Sequence, residues 1–227
     1  MNTPNLTLAD QLWPTPALNW TRAVLLAVLG SAIVALSAQV NVPMVPVPMT
    51  LQTLAVLAIG GAYGARLGAA TLALYALEGA LGLPVFAEMK AGLAVIEGPT
   101  GGYIIGFILA AGLVGWLAER GWDRDILKMF AAMMAGAVVL YIPGLAWLHQ
   151  FTSGVAQTYE WGLGPFIIGD LAKAALAALG FPAAWHLLGR RCVQKMVGVR
   201  GFEPPTPCSR SRCATRLRYT PIFEPRL

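Results

Sequence analysis

The sequence is short of charge. Of its 227 residues only 12% are Asp, Glu, Lys or Arg, while 57% are hydrophobic, and the mean hydropathy is +0.63. Soluble domains carry about 25% charged residues, so an ordinary water-facing surface is excluded and a chain built for lipid is implied. Cysteine is scarce, and all three residues, Cys192, Cys208 and Cys213, lie near the C-terminus. The rest of the chain cannot form a disulfide, and no Cys/His cluster has metal-ligand spacing. The two histidines, His149 and His186, are isolated. There is no His-Glu-x-x-His, no Gly-x-Ser-x-Gly and no Walker A run. Metal, nucleophilic and nucleotide-hydrolysing chemistry are therefore unsupported, and no catalytic residue, metal or cofactor is expected. The first 20 residues mix Pro, Asn and Trp with Leu and do not read as a signal peptide, which starts basic and continues apolar.

The excess of positive charge is local. Residues 190–227 hold 9 of the 16 Lys+Arg and 2 of the 11 Asp+Glu, so they carry +7 while residues 1–189 carry −2. The body of the protein has no basic character to offer nucleic acid.

What is present is a series of apolar blocks. At roughly 20 residues per membrane span, they predict an all-α integral membrane protein with six transmembrane helices, at about 22–40, 51–64, 67–82, 102–118, 126–148 and 164–188. Residues 1–21 read as an interfacial lead-in, with Trp13 and Trp20 suited to the headgroup level. In span 1 the small residues Ala23, Ala27, Ser31 and Ala35 recur every fourth position. They share one face that lets another helix approach closely, either within the chain or from a partner. After it come Pro43, Pro46 and Pro48 in an uncharged stretch. Proline at that spacing forbids a helix and predicts an apolar extended loop folded onto the protein as a cap or gate. Gly60-Gly61 and Gly64 to Gly68 predict a tight reversal, and Pro143-Gly144 a break in span 5. Residues 83–101 and 149–163 are the longer loops. Lys/Arg counts orient the chain. With both termini cytoplasmic, Arg22, Arg66, Arg120, Arg124, Lys128, Arg190, Arg191 and Lys195 lie inside and Lys90 alone outside.

Charge inside a span marks function by default. Asp170 and Lys173, three apart, share a face of span 6. They read either as an intramembrane ion pair or as a ligand site, in which Lys meets a carboxylate and Asp meets N–H donors. A small molecule with an acid at one end and an amide-like group at the other would suit both. Glu78, in span 3, reads as an interhelical packing residue. Gly98-Pro99-Thr100-Gly101-Gly102-Tyr103 forms a rigid turn at the mouth of span 4, either structural or shaping a pocket.

Four stretches then occur in order: Val47-Pro48-Met49-Thr50-Leu51-Gln52-Thr53, Gly82-Leu83-Pro84-Val85-Phe86-Ala87, Gly98 to Tyr103 with Gly106-Phe107, and Asp170-Leu171-Ala172-Lys173. Over about residues 20–190 they resemble the BioY family, the biotin-specific substrate-binding (S) components of energy-coupling factor transporters. The resemblance implies the S-component fold, with biotin bound near the outer face under the loop between spans 1 and 2. It places Asp170 on the ureido ring and Lys173 on the valerate carboxylate, with Thr50, Gln52, Gly101 and Tyr103 as further ligand-binding candidates. It gives the small-residue face of span 1 to docking of a transmembrane coupling (T) subunit, which works with ATPase subunits in the bacterial cytoplasmic membrane. An S component for another vitamin, and an intramembrane enzyme, are the alternatives; the ordered motifs disfavour the first and the absence of a nucleophile or metal cluster the second. Residues 191–227 read as a basic, disordered segment. It is either a tail lying on anionic lipid or a run foreign to the fold, such as an open reading frame gains by continuing into a tRNA gene.

Overall fold

The six apolar blocks are helices. The computed structural model describes residues 7–12, 20–42 and 47–197. Trp13, Pro43, Pro46 and the segment after residue 197 lie outside the described residues, and with them the expectations for the interfacial Trp13, for most of the proline loop and for the tail. A short helix α1 (Leu8–Leu12) precedes α2 (Trp20–Gln39), α3 (Gln52–Tyr63), α4 (Ala65–Ala80), a short α5 (Leu93–Glu97), α6 (Gly101–Ala118), α7 (Ile126–Leu148), a short α8 (Val155–Gly162) and α9 (Phe166–Val197). Between α2 and α3 the chain forms two brief antiparallel strands, β1 (Asn41–Val42) and β2 (Met49–Thr50), paired Asn41 to Thr50. Contacts described below belong to the unit Pro4–Trp185; from His186 onward α9 falls in a separate unit.

Among the described residues four helices are long and apolar enough to cross a membrane: α2, α6, α7 with the turn after it, and α9. Helices α3 and α4, with 12 and 16 residues, reach about 18 and 24 Å at 1.5 Å per residue. That falls short of the ~30 Å hydrocarbon core. They form a tight hairpin at Gly64, whose φ of +85° suits glycine. Glu119 Oε1 accepts the Ala65 N–H at 2.8 Å and so satisfies the start of α4. The glycine pair Gly60-Gly61 lies inside α3 rather than in the reversal. Likewise α7 runs unbroken through Pro143.

Helix α6 is the centre, packed against α3, α4 and α7. Its glycines allow the approach. A Cβ on Gly106 would lie 2.5 Å from the Leu140 carbonyl oxygen of α7, closer than any side chain is tolerated. Small-to-backbone contact of this kind is how apolar helices associate when no hydrophobic effect separates them from lipid. Helix α2 packs on α4, where Ser31 is 2% exposed and donates to Val28 O at 3.0 Å and to Glu78 Oε1 at 3.1 Å. Glu78 is thus an interhelical partner, in line with its sequence reading. Ser31, by contrast, is turned into the protein and away from any docking face in this conformation.

At the α6–α7 turn Asp123 is 1% exposed and accepts Trp185 Nε1–H of α9 at 2.6 Å, while its Oδ1 meets no donor among the described residues. Burial raises its carboxyl above the ordinary 3.8 against the opposing effects of Trp185 and Arg124. A carboxyl raised on folding binds more protons folded than unfolded. Stability therefore falls as pH rises from the unfolded value through the raised folded one. Asp123→Asn, which keeps an acceptor for Trp185, should abolish that slope when thermal unfolding in detergent is followed between pH 4 and 7.5. Gly106→Ala should cost about 1–3 kcal/mol through overpacking. Gly112→Ala, whose added Cβ would have its nearest neighbour, the Ala69 Cβ, at 3.8 Å, should leave the midpoint unchanged or raise it.

Candidate functional site

Residues from three of the four ordered motifs line one cavity, and the fourth lies behind its wall. The first turn of α3 brings Gln52 and Thr53, with Thr50 just before them on β2. The linker after α4 brings Phe86, Ala87 and Lys90. The start of α6 brings Thr100, Tyr103, Ile104 and Phe107. The last turns of α7 bring Leu140 and Tyr141, and the start of α9 Phe166. These residues, with Val47, Pro48, Ala94, Val95, Gly98 and Pro99, line a cavity of about 280 Å³. Its wall is mainly apolar and aromatic: Tyr141 meets Tyr103 edge-on at 6.1 Å between centroids and Phe166 at 6.5 Å, while Phe86 meets Tyr75 at 5.6 Å. Few polar groups in an apolar, concave wall is the usual form of a small-molecule site. A larger cavity of about 440 Å³ at the other end contains Asp10, Arg22 and Glu119. There Arg22 pairs with Asp10 at 3.1 Å and Glu119 is spent on the Ala65 N–H.

The loop between α4 and α6 contains two short helical elements. It makes a 3₁₀ turn over Ala87–Met89 and then α5. Glu88 and Met89 take φ of 60° and 57°, a region β-carbons disfavour. Gln39 of α2 holds the turn from both sides, donating to Phe86 O at 3.0 Å and accepting the Met89 N–H at 3.1 Å. The linker's Lys90 pairs with Glu88 at 2.7 Å, and it carries the only formal charge among the described residues lining the cavity. The described end of the proline stretch does lie against the protein: Val47 is buried and both Val47 and Pro48 line the cavity.

Asp170 and Lys173 sit one layer deeper. They border a void of about 10 Å³ shared with Thr53 and Leu140. Lys173 Nζ donates to Thr50 O at 2.8 Å, Thr53 Oγ1 at 2.7 Å and Asp170 Oδ1 at 3.1 Å, which uses all three of its protons. Asp170 accepts from Thr53 Oγ1–H at 3.2 Å on Oδ1 and from the Tyr141 hydroxyl on Oδ2. The pair is therefore a hydrogen-bonded ion pair joining α9 to α3 and α7. Of the other candidates, Thr50 and Gln52 line the cavity, with Gln52 Nε2 donating to Tyr75 Oη at 2.9 Å. Tyr103 lines it too and donates to Gly162 O at 2.9 Å. Gly101 does not line it. Its missing side chain admits the Ile96 carbonyl of α5, which an added Cβ would meet at 1.7 Å, and its neighbour Gly102 admits Pro143 O and Trp147. The hexapeptide is thus a packing device whose Gly98, Pro99, Thr100 and Tyr103 face the cavity. Of the small residues on α2, Ala23, Ala27 and Ala35 are half-buried.

Thr53, Tyr141 and Lys90 escaped the sequence reading as site residues. Thr53 ends a motif that was singled out, and Tyr141 is a hydroxyl within an apolar span; either property was a usable signal. Breaking the ion pair from one side leaves a buried charge and should cost about 3–5 kcal/mol. Removing both charges with Asp170→Asn and Lys173→Met together should cost less than either single change. Thermal unfolding of the three variants in detergent reads this directly, and additive losses would show that the two groups are not coupled.

The sequence model of the BioY family matches residues 6–190. The biotin transporter BioY of Thermotoga maritima is 37% identical over 158 residues, which cover 70% of this chain and 92% of that one. The probable biotin transporter BioY of Pyrococcus horikoshii is 39% identical over 158 residues, 70% of this chain and 93% of that one. For the biotin transporter BioY of Rhizobium etli the figures are 37% over 166 residues, 69% and 88%. Among solved structures, the S-component for biotin from an ECF-type ABC transporter matches with a TM-score of 0.65, covering 75% of this chain and 95% of that one at 22% identity. That last likeness is one of fold.

Proposed function

The chain belongs to the BioY family, and from this membership and the cavity between α3, α6, α7 and α9 we propose that it binds biotin and takes it up across the cytoplasmic membrane as the S component of an energy-coupling factor transporter. It is a transport protein and not an enzyme. The observation that carries the reading is the convergence of three of the four ordered motifs on one cavity, with the fourth, the Asp170–Lys173 pair, behind its wall and hydrogen-bonded to the wall residues Thr50, Thr53 and Tyr141; Lys90 is the charged residue of the lining itself. Biotin has matching parts: a cyclic urea, an apolar bicycle and chain, and a terminal acid.

The geometry reassigns one contact. Asp170 and Lys173 are 3.1 Å apart, whereas biotin's carboxylate lies at the end of a valerate chain, several bond lengths from its urea. One extended ligand cannot place its urea on Asp170 and its acid on Lys173 while the pair stays closed. Lys173 also has no proton to spare. We assign the urea to the Asp170–Lys173 side, near Thr53 and Tyr141, and the acid to Lys90, with the bicycle and chain between Phe86, Tyr103 and Phe166. Thr50, Gln52 and Tyr103 are wall contacts in this pose, and Gly101 shapes the wall by packing.

The rest of the proposal concerns setting. Six helices span, with α3 and α4 completing the set as a short hairpin against α6, and both termini are cytoplasmic by the Lys/Arg count. The cavity then opens outward. Ala23, Ala27 and Ala35 offer the coupling subunit its contact, and two ATPases supply the energy this chain lacks. An S component for a different vitamin is the competing reading.

Labelled biotin bound to purified protein in detergent tests the central statement; no binding at micromolar biotin overturns it. Lys90→Ala should weaken biotin by about 10–100-fold, the worth of a hydrogen bond to a charged group, and biotin amide much less. Lys173→Ala should weaken both ligands alike. The reverse pattern would return the carboxylate to Lys173.

A further inference from the structure

The hydroxyl protons of Tyr141, Thr53, Tyr103 and Thr100 can be followed one by one, and each is donated to a protein acceptor. A carboxylate only accepts, so the Tyr141 and Thr53 hydroxyls both spend their protons on Asp170. Thr53 Oγ1 also accepts from Lys173 at 2.7 Å. The Tyr103 hydroxyl proton goes to Gly162 O, that of Thr100 to Val95 O at 3.2 Å, and the amide nitrogen of Gln52 to Tyr75. Both Tyr141 and Thr53 line the cavity, and each hydroxyl oxygen keeps a lone pair after these bonds are made.

From this we infer that Tyr141 and Thr53 form an acceptor-only floor that selects ligands by their N–H donors. The floor presents lone pairs because Asp170 takes the hydroxyl protons and Lys173 fixes both Asp170 and Thr53. A ligand N–H directed at the floor finds a partner there. A carbonyl, an ether oxygen or an N-alkyl group in the same place does not, because it leaves an acceptor facing acceptors or crowds the floor. Asp170 and Lys173 act in this as positioning residues, setting the direction of two protons, while Tyr141 and Thr53 make the contact.

The inference rests on the biotin reading and names the part of the ligand that the floor reads. Its test uses the full chain in detergent and three ligands in equilibrium binding: biotin, desthiobiotin, which keeps both urea N–H groups but lacks the sulfur, and biotin methylated on a urea nitrogen. Desthiobiotin should bind within about tenfold of biotin, and the methylated ligand about 100-fold or more weaker, as expected when a buried polar site is left unpaired. In Tyr141→Phe, biotin should weaken about tenfold and the penalty for methylation should shrink by a similar factor. A merely structural role for Tyr141 would weaken every ligand equally and leave their ratios unchanged. Thr53→Val is the second variant should Tyr141→Phe fail to fold, and the wild-type ratios decide the main point without either. Methylated biotin binding within threefold of biotin overturns the acceptor floor while leaving biotin as ligand. Unchanged ratios in a folded Tyr141→Phe or Thr53→Val protein overturn it as well. Failure to bind biotin itself overturns the functional reading, and the floor with it.

Discussion

The Asp170–Lys173 ion pair is the constraint on which the site depends. Two opposite charges are held in a membrane protein's interior, where desolvation is expensive and an unpartnered charge more so. The cost is offset when each charged atom is hydrogen-bonded, and here each is: Lys173 donates its three protons to Thr50, Thr53 and Asp170, and Asp170 accepts two hydroxyls besides. Those partners sit on β2, α3 and α7. Satisfying one pair on α9 therefore fixes the mutual placement of three other segments. The floor of the cavity is a by-product of that satisfaction.

Above the floor a second requirement governs. The walls need aromatic bulk from Phe86, Tyr103, Phe107, Tyr141 and Phe166, and bulk pushes helices apart. The glycines of α6 work against this. Gly102 and Gly106 let α7 touch the α6 backbone at Pro143 O and Leu140 O, so the two helices are close along the stretch where the cavity needs a tight seam. The neighbouring Tyr103 and Phe107 point to the space. Alternation of no side chain and a large one along a single helix yields contact on one face and a lined hollow on another. The charge-free run of α6 follows in part from the same placement, since 12 of its 18 residues are buried.

How much of this was legible in the sequence varied with the kind of signal. Helix positions were readable because hydropathy and length carry them: the six blocks fell within two residues of the ends of α2, α3, α4, α6, α7 and α9, except that α9 runs nine residues further, to Val197. The Asp170–Lys173 pair was readable as a pair because i,i+3 spacing needs no tertiary information. What they bond to was not. Thr50, Thr53 and Tyr141 are over one hundred residues, or nearly thirty, away along the chain, and nothing local announces them. The short elements within the 83–101 loop were not legible, because its 3₁₀ turn is held by Gln39, a residue from another helix, and α5 has only five residues. The small residues of α2 were ambiguous for a plain reason: spacing shows that they share a face but not what the face meets, and for Ser31 it is Glu78 of α4.

On the biotin reading, the arrangement also bears on why such a chain works within an assembly. Its polar groups are satisfied before the ligand arrives, so binding does not have to break a hydrogen-bond network first. Preorganisation of this kind favours affinity by lowering the cost of ordering. The same property opposes release. A ligand seated on the floor stays until α3, α7 or α9 moves, and each is tied to the others through a buried ion pair. Loosening that tie from within would expose unpaired charge to an apolar interior.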